Sequence, residues 1–475
     1  MDIVLLIVGL LVPWALGILL QASIGDPGDR AGRPGELAWT AGVGWFVGSF
    51  LLTVWMRALS VAGIGFGVLS VGGPLLLATV LVAAWARHRL AARWLPPLKA
   101  GGGLLGGSDL RGWHRAAWLG VLAWLALRYA LLLAEVAWRP IYPWDAWTQW
   151  ATKARVWFEL RAMVPFAPLA EWLAAPGTAY IDSAPHYPAT VPLLQTWGAV
   201  LLGQWDDAHV NLPWWLTAVA FAWAVYGFLV HRGFDRLWAL AGTWLVVSLP
   251  ILNVHVALAG YADLAMATFF TLGALATLRW LDTRRRTDAA LALLLLAACA
   301  TIKNPGKVWV LVMLPGLVVG LAPRHGVKLV AAGLAATIAA LAVLAQTEPT
   351  ILGYRLHLVY NLSARALFDA YFTYGNWHLL WYAAIAVAAL GWRQALSRDL
   401  VPLTVVVAAG LLFLFFGFAF TNAGAWVEDQ STVNRATLHL APLVAIWMLL
   451  VFRAWATANA GPAPAIGAST PPAPG

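Results

Sequence analysis

The residues of this chain best suited to do chemistry begin with an aspartate that lies among tryptophans. Residues 142–158 read YPWDAWTQWATKARVWF and combine Asp145 with four tryptophans, a lysine and an arginine. A carboxylate that is partly removed from water holds its proton more tightly unless a cation or a donor is near. Such a group suits a general base or a metal ligand. The structural alternative is an interfacial anchor, with the acid in the first turn of a helix.

Further acids, bases and amides lie in separate segments that flank apolar runs. They occur in YIDSAPHYP, GYADLAM, TIKNPGK and NRATLHLAP. Each residue alone could be a snorkelling flank of a helix, whereas their occurrence on one face of a membrane protein predicts a shared site. The candidates for catalysis are Asp145 and Asp263, and those for binding are Lys153, Asp182, His186, Tyr187, Tyr261, Lys303, Asn304, Arg435 and His439.

Membrane-spanning helices must position these residues. Of 475 residues, 61% are apolar and 11% are charged, against about 25% charged in soluble domains. Many apolar runs have the roughly 20 residues that cross a bilayer. We predict an all-α polytopic membrane protein with about 13 transmembrane helices. The predicted spans are 3–22, 38–57, 62–85, 114–136, 212–230, 237–254, 258–280, 289–303, 305–322, 327–345, 378–392, 400–421 and 437–454.

The charges of the loops predict how the chain is oriented. The net charge is +9, and the basic residues lie in short loops such as HRGFDR, RRR, PRHGVK and RQALSRD. Basic loops stay in the cytoplasm, so the charge indicates topology and not a nucleic-acid partner. Alternation then places residues 136–211, 346–377 and 422–436 on the outer side.

Two short elements are expected on the outer side. On a helical wheel, residues 142–158 place Asp145 and Lys153 on a polar arc and Trp150 on the apolar one, which predicts an amphipathic interfacial helix. Residues 188–203 are apolar but break the alternation, and we predict an interfacial or re-entrant helix. The tail 460–475 is rich in Pro, Ala and Gly and is predicted to be disordered.

The ordered motifs resemble the GT-C superfamily of lipid-carrier-dependent glycosyltransferases, which includes protein O-mannosyltransferases and lipid A aminoarabinose transferases. The likeness rests on YPWDAWTQWATKARVWF, HYPATVPLLQTW, GYADLAMATFFTLGALATLRW, LLLLAACATIKNPGKVWVL and NRATLHLAPLVAIW. It covers roughly residues 114–454. It implies a catalytic membrane domain over 114–459 whose first outer loop is 136–211, and leaves 1–113 as accessory spans with a basic cytoplasmic loop.

The resemblance also implies an activity. A sugar would move from a polyprenyl-phosphate carrier to a glycan, lipid or protein acceptor on the outer face of a bacterial inner membrane, in cell-envelope glycan synthesis. Arg435 is then the first choice for the phosphate, since a guanidinium matches it with two hydrogen bonds, with Lys303 and His439 as second choices. Asp145 is the expected base, and Asp263 is the runner-up or a binding carboxylate. Asp263 could equally cap a helix.

Metal dependence stays open at this level. Many members of the superfamily show paired acids in the first outer loop, whereas Ala146 follows Asp145 here. A divalent ion such as Mg²⁺ or Mn²⁺ at Asp145 is possible, and no other cofactor is implied.

Two functions other than sugar transfer remain. A transporter or flippase of lipid-linked sugars needs polar groups near mid-membrane, and a non-catalytic scaffold leaves the convergent acids and bases without a role.

Overall fold

The computed structural model is almost wholly helical. It describes residues 2–24, 33–99, 106, 110–177, 179–344, 346–348, 350–351, 354–355 and 357–460, without the side chains of 90 and 92–99. Residues 461–475 of the predicted disordered tail and much of the basic loop before residue 110 lie outside these ranges.

The N-terminal part consists of four long helices. A π-helical turn, Val68–Gly72, leads directly into the third. The helices are α1 (Asp2–Ser23), α2 (Glu36–Val61), α3 (Gly73–Lys99) and α4 (Gly112–Trp138).

The segment after α4 is irregular and contains short elements. It opens with a π-helical turn, Ala146–Trp150, and includes a pair of two-residue parallel strands. The elements are α5 (Ala151–Leu160), β1 (Phe166–Ala167), α6 (Leu169–Ala174), β2 (Tyr180–Ile181) and α7 (Thr190–Leu202). All thirteen residues of α7 are buried, which confirms a helix here, while its re-entrant path stays a prediction.

The central part contains six helices, two pairs of which are separated by a proline. Pro250 and Pro305 stand at the first position of α10 and α13, where the missing N–H costs nothing. Leu249, before Pro250, lies outside the helical region, with φ −51° and ψ 123°, as a following proline favours. The predicted span 237–254 is therefore two helices, bent by 67°. The helices are α8 (Leu212–His231), α9 (Arg236–Val247), α10 (Pro250–Ala257), α11 (Asp263–Thr283), α12 (Arg286–Ile302) and α13 (Pro305–Leu321).

The C-terminal part contains eight helices and a small antiparallel pair of strands. Only Gly326 of α14 is buried, so this helix presents nearly all of its apolar surface outward. The elements are α14 (Gly326–Leu344), β3 (Thr350–Ile351), β4 (Tyr354–Arg355), α15 (Ala364–Phe368), α16 (Leu380–Leu390), α17 (Trp392–Ala395), α18 (Val401–Phe420), α19 (Ala425–Glu428), α20 (Val433–Leu438) and α21 (Ala441–Asn459).

The chain is a multi-pass all-α membrane protein. Among the described residues, nine helices are long and apolar enough to cross a membrane, or ten if α9 and α10 form one span. A helix lies at each of the thirteen predicted spans, but α12 and α13 have 17 residues each and α16 has 11. The count of thirteen crossings stays a prediction.

The first two helices pack into the same core as the rest of the chain. Helix α2 lies between α1 and α8, and buried tryptophans fasten these layers because an indole N–H inside a protein needs an acceptor. Trp45 donates to the Thr217 hydroxyl at 2.9 Å, and Trp14 to the carbonyl of Ala41 at 2.7 Å. Trp197 on α7 donates to the carbonyl of Gly9 at 3.1 Å.

Helix α11 connects the two ends of the bundle. From Asp263 to Asp282 it rises about 28 Å at roughly 1.5 Å per residue, close to the ~30 Å hydrocarbon thickness of a bilayer. At its far end, buried Arg279 bonds Glu36 at 2.8 Å and Asp288 at 3.3 Å. Four of the predicted cytoplasmic loops, HRGFDR, RRR, PRHGVK and RQALSRD, lie at this far end, and Asp145 lies at the Asp263 end.

These two ends should react from opposite sides of the membrane. Glu171 and Arg286 are both exposed, one at each end, and the single native cysteine, Cys299, is buried. In sealed vesicles of known orientation, an impermeant thiol reagent should label Glu171→Cys from the outer side and Arg286→Cys from the inner side. The native chain is the background control. Labelling of both variants from one side would contradict this arrangement.

Candidate functional site

A fully buried carboxylate forms the centre of the site. Asp263 is the first residue of α11, and its side chain is 0% exposed. Its Oδ1 accepts from Lys303 Nζ at 2.6 Å and from His439 Nε2 at 2.9 Å. Its Oδ2 accepts from Arg435 Nε at 3.1 Å and Nη2 at 3.0 Å. The Asp263 carboxylate is thus occupied by tertiary partners, and it makes no side-chain cap of α11.

Arg435 joins this buried carboxylate to Asp145. Its Nη2 lies 2.6 Å from Asp145 Oδ2, and its guanidinium lies over the ring of Tyr261, 4.2 Å from the centroid. Asp145 is 24% exposed at its side chain. No other described side chain binds Asp145, so one face of this carboxylate is open to a ligand. We refer to Asp145, Asp263, Lys303, Arg435 and His439 as the carboxylate cluster.

The hydrogen bonds of His439 define its tautomer. Trp309 Nε1 donates to His439 Nδ1 at 3.0 Å, and an indole nitrogen is a donor only. Nδ1 is therefore the acceptor, and Nε2 carries the proton that is donated to Asp263. With both ring nitrogens engaged, His439 orients Asp263 and is not free to accept a substrate proton.

Local sequence places each member of the cluster at the end of a helix. Pro305 separates α12 from α13, and Lys303 at the break is extended, with φ −150° and ψ 148°. Arg435 lies on the short helix α20, and His439 follows it by four residues. A spacing of four puts two side chains on one face of a helix, so both reach Asp263.

Gly260 allows the aspartate-bearing segments to approach each other. Its φ is +111°, a region that other residues rarely adopt. A Cβ at this position would lie 2.6 Å from the Cβ of Ala146, which is the neighbour of Asp145. A side chain larger than hydrogen would therefore push the Asp145 turn away from the start of α11.

Electrostatics keep the bridging arginine charged. Burial lowers the pKa of Arg435, but the attraction of Asp263 and Asp145 outweighs it, and the pKa of the guanidinium lies above its ordinary value. Two carboxylates and two cations are then balanced in the cluster. A dianionic ligand at Arg435 would have to compete with Asp145, which is the more exposed of its two partners.

The π-helical turn corrects the predicted face of Lys153. The wheel put Lys153 on the polar side, but it is 2% exposed and forms an ion pair of 2.5 Å with Asp182, which is 0% exposed. A π turn contains more residues than an α turn, so the regular wheel fails beyond residue 150. Lys153 also donates to the carbonyl of Ala184 at 2.8 Å. Burial lowers the pKa of Lys153, and the pairing with Asp182 opposes this shift.

The remaining predicted residues lie around Trp150 or at the start of α13. Tyr187 packs edge-on against the Trp150 ring at 5.3 Å, and the exposed His186 lies 5.3 Å from Tyr187. With Lys153 and Asp182 they form a second group on the same segment. Asn304 is buried at the start of α13. Among the described residues, no hydrogen bond joins its side chain to the carboxylate cluster.

Two tryptophans belong to the site although the sequence did not single them out. Trp309 holds His439, and Trp214 donates to the carbonyl of Tyr261 at 2.8 Å. The sequence could have pointed to them because a tryptophan buried in a helix requires a hydrogen-bond acceptor for its N–H. Only the fold shows which acceptor that is.

The described side chains around Asp145 do not by themselves make a metal site. Within the described part of the chain, no group of three or more His, Cys, Asp and Glu side chains is arranged to hold a metal ion. Mg²⁺ requires several oxygens in octahedral geometry. Here the guanidinium of Arg435 lies between Asp145 and Asp263, so the carboxylate cluster leaves no position for a metal that bridges these two acids.

No family model, curated protein or solved structure matches this chain.

The approach at Gly260 is testable by substitution and rescue. Gly260→Ala should lower the free energy of unfolding by roughly 1–3 kcal/mol through overpacking, plus the backbone strain. Gly260→Ala with Ala146→Gly should regain the overpacking part. Thermal unfolding measures both, read by a dye that reacts with Cys299 once unfolding exposes this buried thiol. Gly203→Ala is the matched control, because Gly203 also has positive φ but open space around its Cβ. A double variant no better than the single one would contradict the contact.

Removing one partner of the buried Lys153–Asp182 ion pair should lower the free energy of unfolding strongly. Lys153→Met leaves Asp182 unpaired in the interior, and we expect a loss of about 3–5 kcal/mol of unfolding free energy. Lys153→Met with Asp182→Asn should recover most of it, because no buried charge remains. The same thermal assay compares the two variants. Equal losses for both would show that the pair contributes packing alone.

Proposed function

We propose that this protein is a membrane glycosyltransferase that moves a sugar from a polyprenyl-phosphate carrier to an acceptor on the outer membrane face. The observation that carries the proposal is the arrangement at Arg435. Its guanidinium is bound by buried Asp263 and lies over the ring of Tyr261. Its other partner is the partly exposed carboxylate of Asp145.

Arg435 is suited to hold a lipid phosphate. Its orientation is fixed before a ligand arrives, and a preorganised cation stabilises charge that develops on a leaving group without reorganisation. Lys303, 13% exposed at its side chain, supplies a second positive charge behind the same carboxylate. Phosphate binding at Arg435 would displace Asp145, because both anions use the accessible side of the guanidinium.

Displacement would make Asp145 available as a base. The acceptor oxygen forms a bond to the anomeric carbon while the bond from that carbon to the phosphate oxygen breaks. The electron pair goes to the phosphate at Arg435, and the acceptor proton passes to Asp145. One base is enough for such an inverting displacement, and inversion is what the resemblance to the GT-C superfamily implies.

Asp263 has a different role in this proposal. It is buried and accepts hydrogen bonds from three side chains, so it positions Arg435 and His439 and does not reach a substrate. The exposed rings beside Asp145 provide apolar faces for a sugar or for the lipid interface. Trp144 and Trp147 lie there, 5.0 Å apart and edge to face.

The transporter alternative lacks a matching feature in the described residues. It needs a polar path through the bundle, whereas the middle of α11 is packed with buried side chains. Phe269, Phe270 and Leu272 are all 3% exposed or less. The outward orientation rests on the distribution of basic loops, and the bacterial inner membrane rests on the resemblance to the GT-C superfamily.

Substitution of the two aspartates should separate chemistry from structure. Asp145→Asn should abolish the glycan product and raise the amount of unused lipid-linked sugar, since the base is lost while the fold is kept. Binding of polyprenyl phosphate to the purified variant should be unchanged or tighter, because a competitor for Arg435 is gone. Mass spectrometry of surface glycans and lipid-linked sugars, with and without each variant gene, reads out the activity.

Two further variants make this experiment decisive. Arg435→Gln should lose both the glycan product and the binding of polyprenyl phosphate. Asp263→Asn should lower thermal stability as well as activity, because Arg435 and Lys303 lose their shared partner. Normal glycan product from Asp145→Asn would exclude Asp145 as the base, and unchanged polyprenyl-phosphate binding by Arg435→Gln would exclude the phosphate site.

A further inference from the structure

A large cavity lies at the opposite end of the bundle from the carboxylate cluster. Its volume is about 1230 Å³, above the ~300–1,000 Å³ of most small-molecule sites. It is lined by the ends of α8, α11, α13 and α21 and by the turn before α18. Asp282, in the last turn of α11, is part of its wall, about 28 Å of helix rise from Asp263.

The wall of this cavity is strongly basic. Five arginines and two aspartates line it, an excess of three positive charges with His231 neutral. Four of the five arginines come from four separate loops or helix ends, and the last comes from α21. They are Arg232, Arg284, Arg324, Arg398 and Arg453.

Three of these arginines already form hydrogen bonds or ion pairs with other groups of the protein. Arg232 pairs with Asp282. Arg453 donates to the carbonyls of Arg232 at 2.7 Å and Gly233 at 2.8 Å. Arg284 donates to the carbonyl of Gly320 at 3.3 Å. These bonds shape the wall.

The other two arginines are available to a ligand. Arg324 and Arg398 are exposed, and within the described ranges neither has a hydrogen bond or an ion pair. They belong to segments far apart in sequence, yet both line the one cavity. A guanidinium without a partner beside a cavity is matched by a phosphate, which it binds with two parallel hydrogen bonds.

The rest of the wall is apolar. Leu278 and Leu281 of α11, Val319 of α13 and Leu450 of α21 line the same space. A smaller void beside α11 is only about 10 Å³, room for at most one water. The cavity therefore has both a basic surface and an apolar surface.

We propose that this cavity, which we call the arginine cavity, binds the phosphate of an anionic lipid head group through Arg324 and Arg398. An amphipathic anion matches both kinds of wall, and a lipid can reach a cavity at the end of spanning helices from the membrane. A soluble phosphate compound shares the same recognition chemistry. The site is separate from the proposed sugar transfer and does not depend on it.

The test uses the full chain purified in an uncharged detergent. Binding of short-chain phosphatidylglycerol, short-chain phosphatidylcholine and inorganic phosphate is titrated by calorimetry. The native protein should bind phosphatidylglycerol, and Arg324→Gln with Arg398→Gln should weaken that binding by roughly tenfold or more, since two charge-assisted contacts are lost. Zwitterionic phosphatidylcholine should bind more weakly than phosphatidylglycerol.

The matched control removes the same charge outside the cavity. Arg286→Gln with Arg393→Gln changes two exposed arginines at the same end that do not line it, and it should bind like the native chain. Inorganic phosphate binding with the same dependence on Arg324 and Arg398, and no lipid binding, would assign the site to a soluble phosphate compound. Equal binding by both double variants, or none by the native chain, would overturn the proposal.

Discussion

The buried carboxylate of Asp263 is the constraint on which the arrangement of the carboxylate cluster depends. An ionised group inside a membrane protein is costly unless it is paired, and removing one partner of a buried pair is more costly still. Asp263 meets this demand with Lys303, His439 and Arg435. Those partners come from the α12–α13 junction and from the segment before α21, so one side chain fixes three separate parts of the chain relative to one another.

Breaks in the helices make this pairing possible. In a continuous helix the backbone polar groups bond to one another and the side chains point radially. A break at a proline or a π turn lets a long side chain run along the bundle axis. Lys303 lies before Pro305, and Asp145 directly precedes a π turn. The prolines at the starts of α10 and α13 divide apolar runs into shorter helices. Fewer helices are therefore long enough to cross a membrane than the apolar runs suggest.

The two ends of the bundle differ in how their charged side chains are paired. In the carboxylate cluster the charges are balanced and mostly buried, and Asp145 is its most exposed member. At the other end, arginines exceed acids around an open cavity, and two of them are not engaged. Basic loops are expected there from membrane topology alone, but topology does not require that they meet around one cavity.

The sequence by itself determined the all-α membrane class and the segments that hold the site. Apolar runs of bilayer length and basic short loops are properties of the chain, and lipid leaves few other ways to satisfy the backbone. The nomination of Asp145, Asp263, Lys303, Arg435 and His439 also came from residue types near helix ends. Only the tertiary structure decided their partners and their burial. It buried Asp263, left Asp145 half open and turned Lys153 inward, because pairing depends on three-dimensional distance and a π turn shifts the helical phase in a way that a regular wheel does not contain.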